Sequence, residues 1–321
     1  MQAARMKAAV IAAPRRVRVE EVARPEPGAG QLRVRVEGCG VCGSNLPTWE
    51  GREWFEYPLA PGAPGHEGWG VVDAVGPEVK GFQEGERVAF LSGKAFAEYD
   101  VVGADSAVVL PKALEGQPFP GEPLGCAMNI FRRSEIEPGQ TVAIIGIGFL
   151  GALLTRLATQ AGARVLALTR RPWALEVARG LGAAECIPLD DHHRIIERVK
   201  ELTEGRFCER VIEVVGEQWP LDLAGELTRE RGRLMVAGYH QDGPRQVNMR
   251  LWNWRGLDVI NAHEREPRVY LKGMRMAVDA VVEGRLDPTP LYTRYALDEL
   301  NTAFETMKTR PDGFLKGVIT L

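Results

Sequence analysis

"TVAIIGIGFLG", residues 141–151, decides the fold. The apolar run from Thr141 to Ile145 reads as a strand buried on both faces, and three glycines follow it at G-x-G-x-x-G spacing. A helical period opens at once, with Leu150, Leu153, Leu154, Leu157, Ala158 and Ala161 recurring at i, i+3, i+4, i+7. Glycines alone often mark only a tight turn, but between a strand and a helix each acquires a task. Gly146 permits the turn, Gly148 lets a pyrophosphate approach the backbone, and Gly151 lets the helix pack on the strand. Phe149 and Leu150 open the helix whose free N–H groups face the phosphate. The stretch reads as a dinucleotide-binding loop.

Downstream, "RVLAL" (164–168), "RVIEVV" (210–215), "RLMVA" (233–237) and "LDVI" (257–260) are further buried strands, with a helix marked by Trp173, Val177, Ala178 and Leu181. Parallel strands need long crossovers, so the repeated strand and helix units predict a doubly wound parallel sheet of the Rossmann kind. The second strand bears on the cofactor. NAD-binding chains carry an acid about 20 residues beyond the glycines, on the ribose hydroxyls. Here "LALTRRPWA" puts Thr169 at that place, followed by Arg170 and Arg171, and a guanidinium can pair with a 2′-phosphate that a carboxylate would repel. The reading is NADP(H) over NAD(H), against the alternative of two solvated arginines at a helix start.

Upstream, the first third is rich in Gly and Pro, with short β-branched runs "LRVRVEG" (32–38), "GWGVVDAVG" (68–76), "ERVAF" (86–90) and "EYDVVG" (98–103). Short strands at that spacing predict a compact β-barrel. After His263 come two amphipathic helices, around 270–283 and 298–308, and a terminal strand "GVITL". A chain of 321 residues is long enough for two cores. It is 45% hydrophobic and 26% charged with formal net charge −3, which offers no basic face to nucleic acid, so small molecules are the expected partners. The opening residues hold no signal-peptide core and no apolar run is of membrane length, which reads as a cytoplasmic chain without a membrane partner. Five cysteines at irregular spacing, in a reducing compartment, point to core residues or metal ligands instead of disulfides.

Two of those cysteines, Cys39 and Cys42 in "GCGVCGSN" (38–45), have the spacing of both redox sites and zinc clips. A redox pair would sit at a helix N-terminus, and the strand runs on both sides argue against it. "APGHEGWG" supplies His66 and Glu67, and "GEPLGCAMN" supplies Glu122 and Cys126. A catalytic zinc takes three N, S or O ligands and keeps one position open, so Cys42 and His66 are the first two candidates.

Taken together, "GCGVCGSN", "PGHEGWGVVDAVG", "EPLGC", "IGIGFLG" and "FLKGVITL" resemble the zinc-dependent medium-chain alcohol and polyol dehydrogenases, over nearly the whole chain. The resemblance implies a GroES-like β-barrel catalytic domain at 1–126, a Rossmann domain at 127–262, and a segment at 263–321 returning to the catalytic domain. It implies that Cys42 and His66 bind one catalytic zinc while Cys39 is a bystander, and that Glu67 is a fourth ligand or a group exchanging with water. The third ligand is Glu122 in the polyol-like pattern or Cys126 in the alcohol-dehydrogenase pattern, and the intact Glu-Pro-Leu places Glu122 slightly ahead. Lys316 falls at the family's basic position near the pyrophosphate, and a homo-oligomer, dimer or tetramer, is implied.

The implied chemistry is hydride transfer between the nicotinamide and an alcohol, polyol or sugar-type substrate, or the matching carbonyl. His66 and Glu67 would act at the metal and Ser44 would pass the proton outward. Three departures from the family pattern stand out. No cysteine cluster for a structural zinc lies between Phe90 and Phe96; Asn45 replaces an Asp and would orient His66 as an acceptor; Pro47 replaces the histidine ending the proton relay. The proton would then leave through water or through His263. Trp49, Trp54, Phe55 and Tyr57 either line a substrate pocket or pack the barrel. Two rival readings remain, a zinc-free quinone or enoyl reductase and a nucleotide-binding protein without turnover, and the retained Cys42, His66 and Glu67 argue against the first.

Overall fold

The computed structural model describes residues 4–321. They form two compact units, one of the described residues up to 125 with 270–321, the other of residues 126–269. The second unit runs past the expected end at 262 to Val269. Hydrogen bonds tie that segment down: Ala262 N–H to the Val236 carbonyl at 2.8 Å and Asn129 Nδ2 to the Val269 carbonyl at 3.1 Å.

The first unit opens with a hairpin of β1 (Arg5–Ala13) and β2 (Arg16–Ala23) that hydropathy alone did not reveal. Then come β3 (Gln31–Gly40), α1 (Leu46–Glu50), β4 (Glu67–Val75), β5 (Arg87–Leu91), β6 (Tyr99–Gly103) and β7 (Ala107–Val109). In α2 (Gly121–Ser134) the chain passes into the second unit. That unit alternates β8 (Thr141–Ile145), α3 (Phe149–Gln160), β9 (Arg164–Thr169), α4 (Pro172–Gly180), β10 (Glu185–Pro188) and α5 (His192–Leu202). It continues with β11 (Cys208–Glu213), α6 (Gln218–Leu227), β12 (Thr228–Val236), α7 (Met249–Arg255) and β13 (Asp258–Asn261). The chain returns through α8 (Pro267–Val282) to β14 (Tyr292–Ala296), α9 (Leu300–Thr309) and β15 (Lys316–Thr320).

In the first unit the strands order β14-β15-β3-β4-β5-β7, with β6 on β3. Strand β3 is the hub because Leu32, Val34 and Val36 bury one face against Val72, Val88 and Phe90. Two register shifts against β4 bend the sheet, as extra residues in one strand of a pair do. The bend is what a GroES-like barrel requires. In the second unit six parallel strands order β10-β9-β8-β11-β12-β13. This is the doubly wound Rossmann order, and its direction reverses between β8 and β11, so a crevice opens past the C-terminal ends of those two strands.

Candidate functional site

The donor atoms of Cys42, His66 and Glu67 lie within 4.8 Å of one another in the first unit. No other group of three metal-ligating side chains this close exists among the described residues. The end of β3 delivers Cys42 and the start of β4 delivers Glu67, whose register partner is Gly40. A Cβ at Gly40 would come 1.8 Å from Glu67 Oε2, so only glycine leaves room for that carboxylate.

His66 is aimed by its neighbours. Its Nδ1 lies 3.0 Å from the Pro64 carbonyl. A carbonyl only accepts, so Nδ1 carries the proton and Nε2 is left for the cluster. Asn45 contacts both Cys42 and His66. Its Oδ1 accepts from the Cys42 N–H at 3.0 Å and its Nδ2 lies 3.3 Å from the Pro64 carbonyl and 3.4 Å from His66 Nδ1, so it braces the Cys42 turn against the His66 ring while the Pro64 carbonyl serves as the acceptor. Burial pulls the His66 imidazolium down, but the adjoining Cys42, with Glu67 and Glu122, outweighs it and pushes the ring up to about 10. A crowd of anionic groups with a thiol, an imidazole and a carboxylate at this spacing fits a zinc-like cation, whose tetrahedral ligands stand ~3.5 Å apart.

Lys316, which the resemblance implied near the pyrophosphate, pairs with Glu67 in the first unit. Its Nζ donates to Glu67 Oε1 at 2.7 Å and also contacts Oε2, and both side chains are buried. The signal was present in "FLKGVITL": a lysine inside an apolar run must find a buried partner. Glu122, in the first turn of α2, lies outside the three-residue cluster although its charge acts on His66 and Lys316. Cys126, one turn further, also stands outside it and lines a small cavity of the second unit. Ser44 sits in the short turn directly after Cys42, and Pro47 opens the buried face of α1. Cys39 is fully buried in the core of the barrel, and burial pushes its thiol well above the usual range.

The aromatic stretch divides. Trp49 is fully buried, donating from Nε1 to Asn301 Oδ1 at 3.1 Å with its ring 5.7 Å from Phe304, and Tyr57 donates to the Thr48 carbonyl. Those two pack the barrel. Trp54 is 60% exposed beside Phe55. His263 is exposed, with its ring 5.8 Å from Tyr239.

In the second unit Gly146 adopts φ 103°, Gly148 caps α3, and a Cβ at Gly151 would meet the Gly146 carbonyl at 2.0 Å. A Cβ at Gly148 would meet nothing within 4 Å, so the backbone there is open to an approaching group. Phe149 and Leu150 form the first turn of α3, and the N-terminal end of a helix carries partial positive charge toward the crevice. Thr169 is buried at the end of β9. The two arginines after it differ. Arg171 donates to the Ile147 carbonyl in the glycine loop at 3.2 Å and lies over the Trp173 ring, whereas Arg170 pairs with Glu217 at 2.9 Å on the surface.

Residues 28–112 match the alcohol dehydrogenase GroES-like domain, and residues 150–278 match the zinc-binding dehydrogenase family. An alcohol dehydrogenase of Geobacillus stearothermophilus is 31% identical over 338 residues, covering 94% of this chain and 96% of that one. A sorbitol dehydrogenase of Bacillus subtilis is 25% identical over 94% of this chain and 93% of its own length. Among solved structures, the alcohol dehydrogenase TADH from Thermus sp. ATN1 superposes with a TM-score of 0.84 at 26% identity, over 98% of this chain and 99% of that one. No helix among the described residues is long and apolar enough to cross a membrane.

Proposed function

The chain belongs to the zinc-type medium-chain alcohol and polyol dehydrogenase family, and from that premise we propose that it moves a hydride between NADP(H) and an alcohol, polyol or sugar-type substrate, or the matching carbonyl, at one zinc ion per chain. It is an oxidoreductase of the alcohol and polyol dehydrogenase type acting on a small molecule. The carrying observation is the Cys42, His66 and Glu67 cluster with donor atoms within 4.8 Å.

Bound there, a metal would supply Lewis acidity toward the substrate oxygen, and the nicotinamide would accept the hydride in alcohol oxidation or return it in carbonyl reduction. Cys42 and His66 Nε2 hold the metal, and the Pro64 carbonyl keeps the imidazole in that orientation. Glu67 shares its charge with Lys316, which leaves the carboxylate a weaker ligand than a free one, suited to exchange. Glu122 or Cys126, four residues apart on one face of α2, completes the set. Ser44 takes the alcohol proton outward. Pro47 has no side-chain proton, so release runs to water. On the nucleotide side, the open backbone at Gly148 and the first turn of α3 receive the pyrophosphate, and Arg171 receives the 2′-phosphate. By family likeness the enzyme works as a homo-oligomer in the cytoplasm, which light scattering and cell fractionation would read.

The deciding experiment is a panel of alcohols, polyols and sugars with NADP and NAD, alongside zinc quantitation. One zinc per chain with NADP-linked oxidation is expected. Undiminished turnover of a quinone or enoyl substrate after zinc removal would replace this reading with a metal-free reductase.

A further inference from the structure

Asn129 is 3% exposed on α2, and its side-chain Nδ2 donates to the Val269 carbonyl at 3.1 Å. Because that carbonyl can only accept, the amide cannot be flipped, and Oδ1 is the atom facing away from it. Oδ1 is buried and has no hydrogen-bond partner in the protein. Buried acceptors are nearly always satisfied, so one left open marks a place where something else binds.

The open atom belongs to a residue lining a cavity of about 70 Å³ in the second unit. Leu150 contributes from the first turn of α3, Ala237 from just past β12, Ala262 and His263 from just past β13, and Cys126 from one turn before Asn129. The cavity therefore lies past the C-terminal ends of the strands, next to the helix that follows the glycine loop. It is on the β11–β13 side of β8, opposite the β9 end with Thr169 and Arg171. In a doubly wound sheet the adenosine half of a dinucleotide lies over the β9 end and the second nucleotide on the other side of the switch point. The group reaching this cavity is then the nicotinamide. Apolar Leu150, Ala237 and Ala262 suit its ring, and its carboxamide carries the N–H donors that a lone buried acceptor lacks.

We propose that Asn129 reads the cofactor's carboxamide, with Oδ1 accepting one of its N–H groups and the Val269 carbonyl holding the Asn129 amide in the receiving orientation. This rests on the nucleotide-binding reading given above. Asn129 would fix the rotation of the nicotinamide ring and so the face it presents to the substrate.

The test compares equilibrium binding of NADP with that of its 3-acetylpyridine analogue, in which a methyl group replaces the amide nitrogen. Titration calorimetry on the intact wild-type chain should show NADP bound roughly five- to tenfold tighter, one hydrogen bond's worth. Asn129→Ala should lose that preference by weakening NADP alone, with the analogue's Kd unchanged. Equal affinity of the wild type for the two ligands overturns the inference without need of any variant, and so does a preference that survives in Asn129→Ala. Failure of the wild type to bind any dinucleotide removes the underlying reading as well, and the two failures are thereby told apart.

Discussion

Lys316 Nζ and Glu67 Oε1, 249 positions apart in the chain, meet at 2.7 Å inside the barrel of the first unit. The pair includes one member of the candidate metal cluster and joins the last strand to the start of β4. Removing one partner leaves a buried charge alone, which costs about 3–5 kcal/mol, whereas replacing both with apolar groups costs far less. Lys316→Met should thus destabilise the zinc-free protein strongly in urea unfolding, and Lys316→Met with Glu67→Leu should regain much of the loss. Equal midpoints for the single and double variants would refute the coupling.

Metal content should follow Cys42 and spare Cys39. Cys42→Ala is expected to lose zinc by elemental analysis while Cys39→Ala, in the core, retains one ion per chain. The same measurement on Glu122→Gln and Cys126→Ser identifies the remaining ligand as the one whose loss weakens zinc binding beyond the roughly 10- to 100-fold that an outer partner costs.

The glycine loop allows two outcomes to be separated. Gly151→Ala drives a methyl to 2.0 Å from the Gly146 carbonyl, so it should lower the melting temperature. Gly148→Ala meets nothing in the protein, so its melting temperature should stay close to wild type while dinucleotide affinity falls, because the methyl occupies the approach to the backbone. A Gly148→Ala variant that binds NADP normally would show that the phosphate sits elsewhere.

Cofactor choice should depend on Arg171 more than on Arg170, which is engaged by Glu217. Loss of a charge-assisted contact of about 1.5–3 kcal/mol predicts tens-fold weaker NADPH binding in Arg171→Ala, with NADH spared. Equal losses for both cofactors would assign the arginine to loop support through the Ile147 carbonyl instead.

Proton release should need Ser44 and not His263. Ser44→Ala is expected to depress alcohol oxidation strongly, while His263→Ala leaves the pH–rate profile almost unchanged, with a deuterated substrate confirming hydride transfer as rate-limiting. Disappearance of a near-neutral ionisation in His263→Ala would hand the relay to that histidine.

What the sequence by itself determined was local or periodic. The run from Thr141 to Gly151 specified strand, turn and helix because backbone sterics at three glycines and an apolar period act within a few residues, and the parallel sheet followed from its repetition. Cys42 and His66 could be named for the same reason, as donor types on short motifs. The tertiary structure alone decided which distant groups share a buried volume. It put Lys316 on Glu67, set the Pro64 carbonyl beside Asn45 against the imidazole of His66, divided Arg171 from Arg170, and left Asn129 Oδ1 without a partner beside a cavity. Those are facts of burial and pairing across long stretches of chain, where the desolvation of a polar group fixes its partner, and no residue pattern encodes that until the strands are packed.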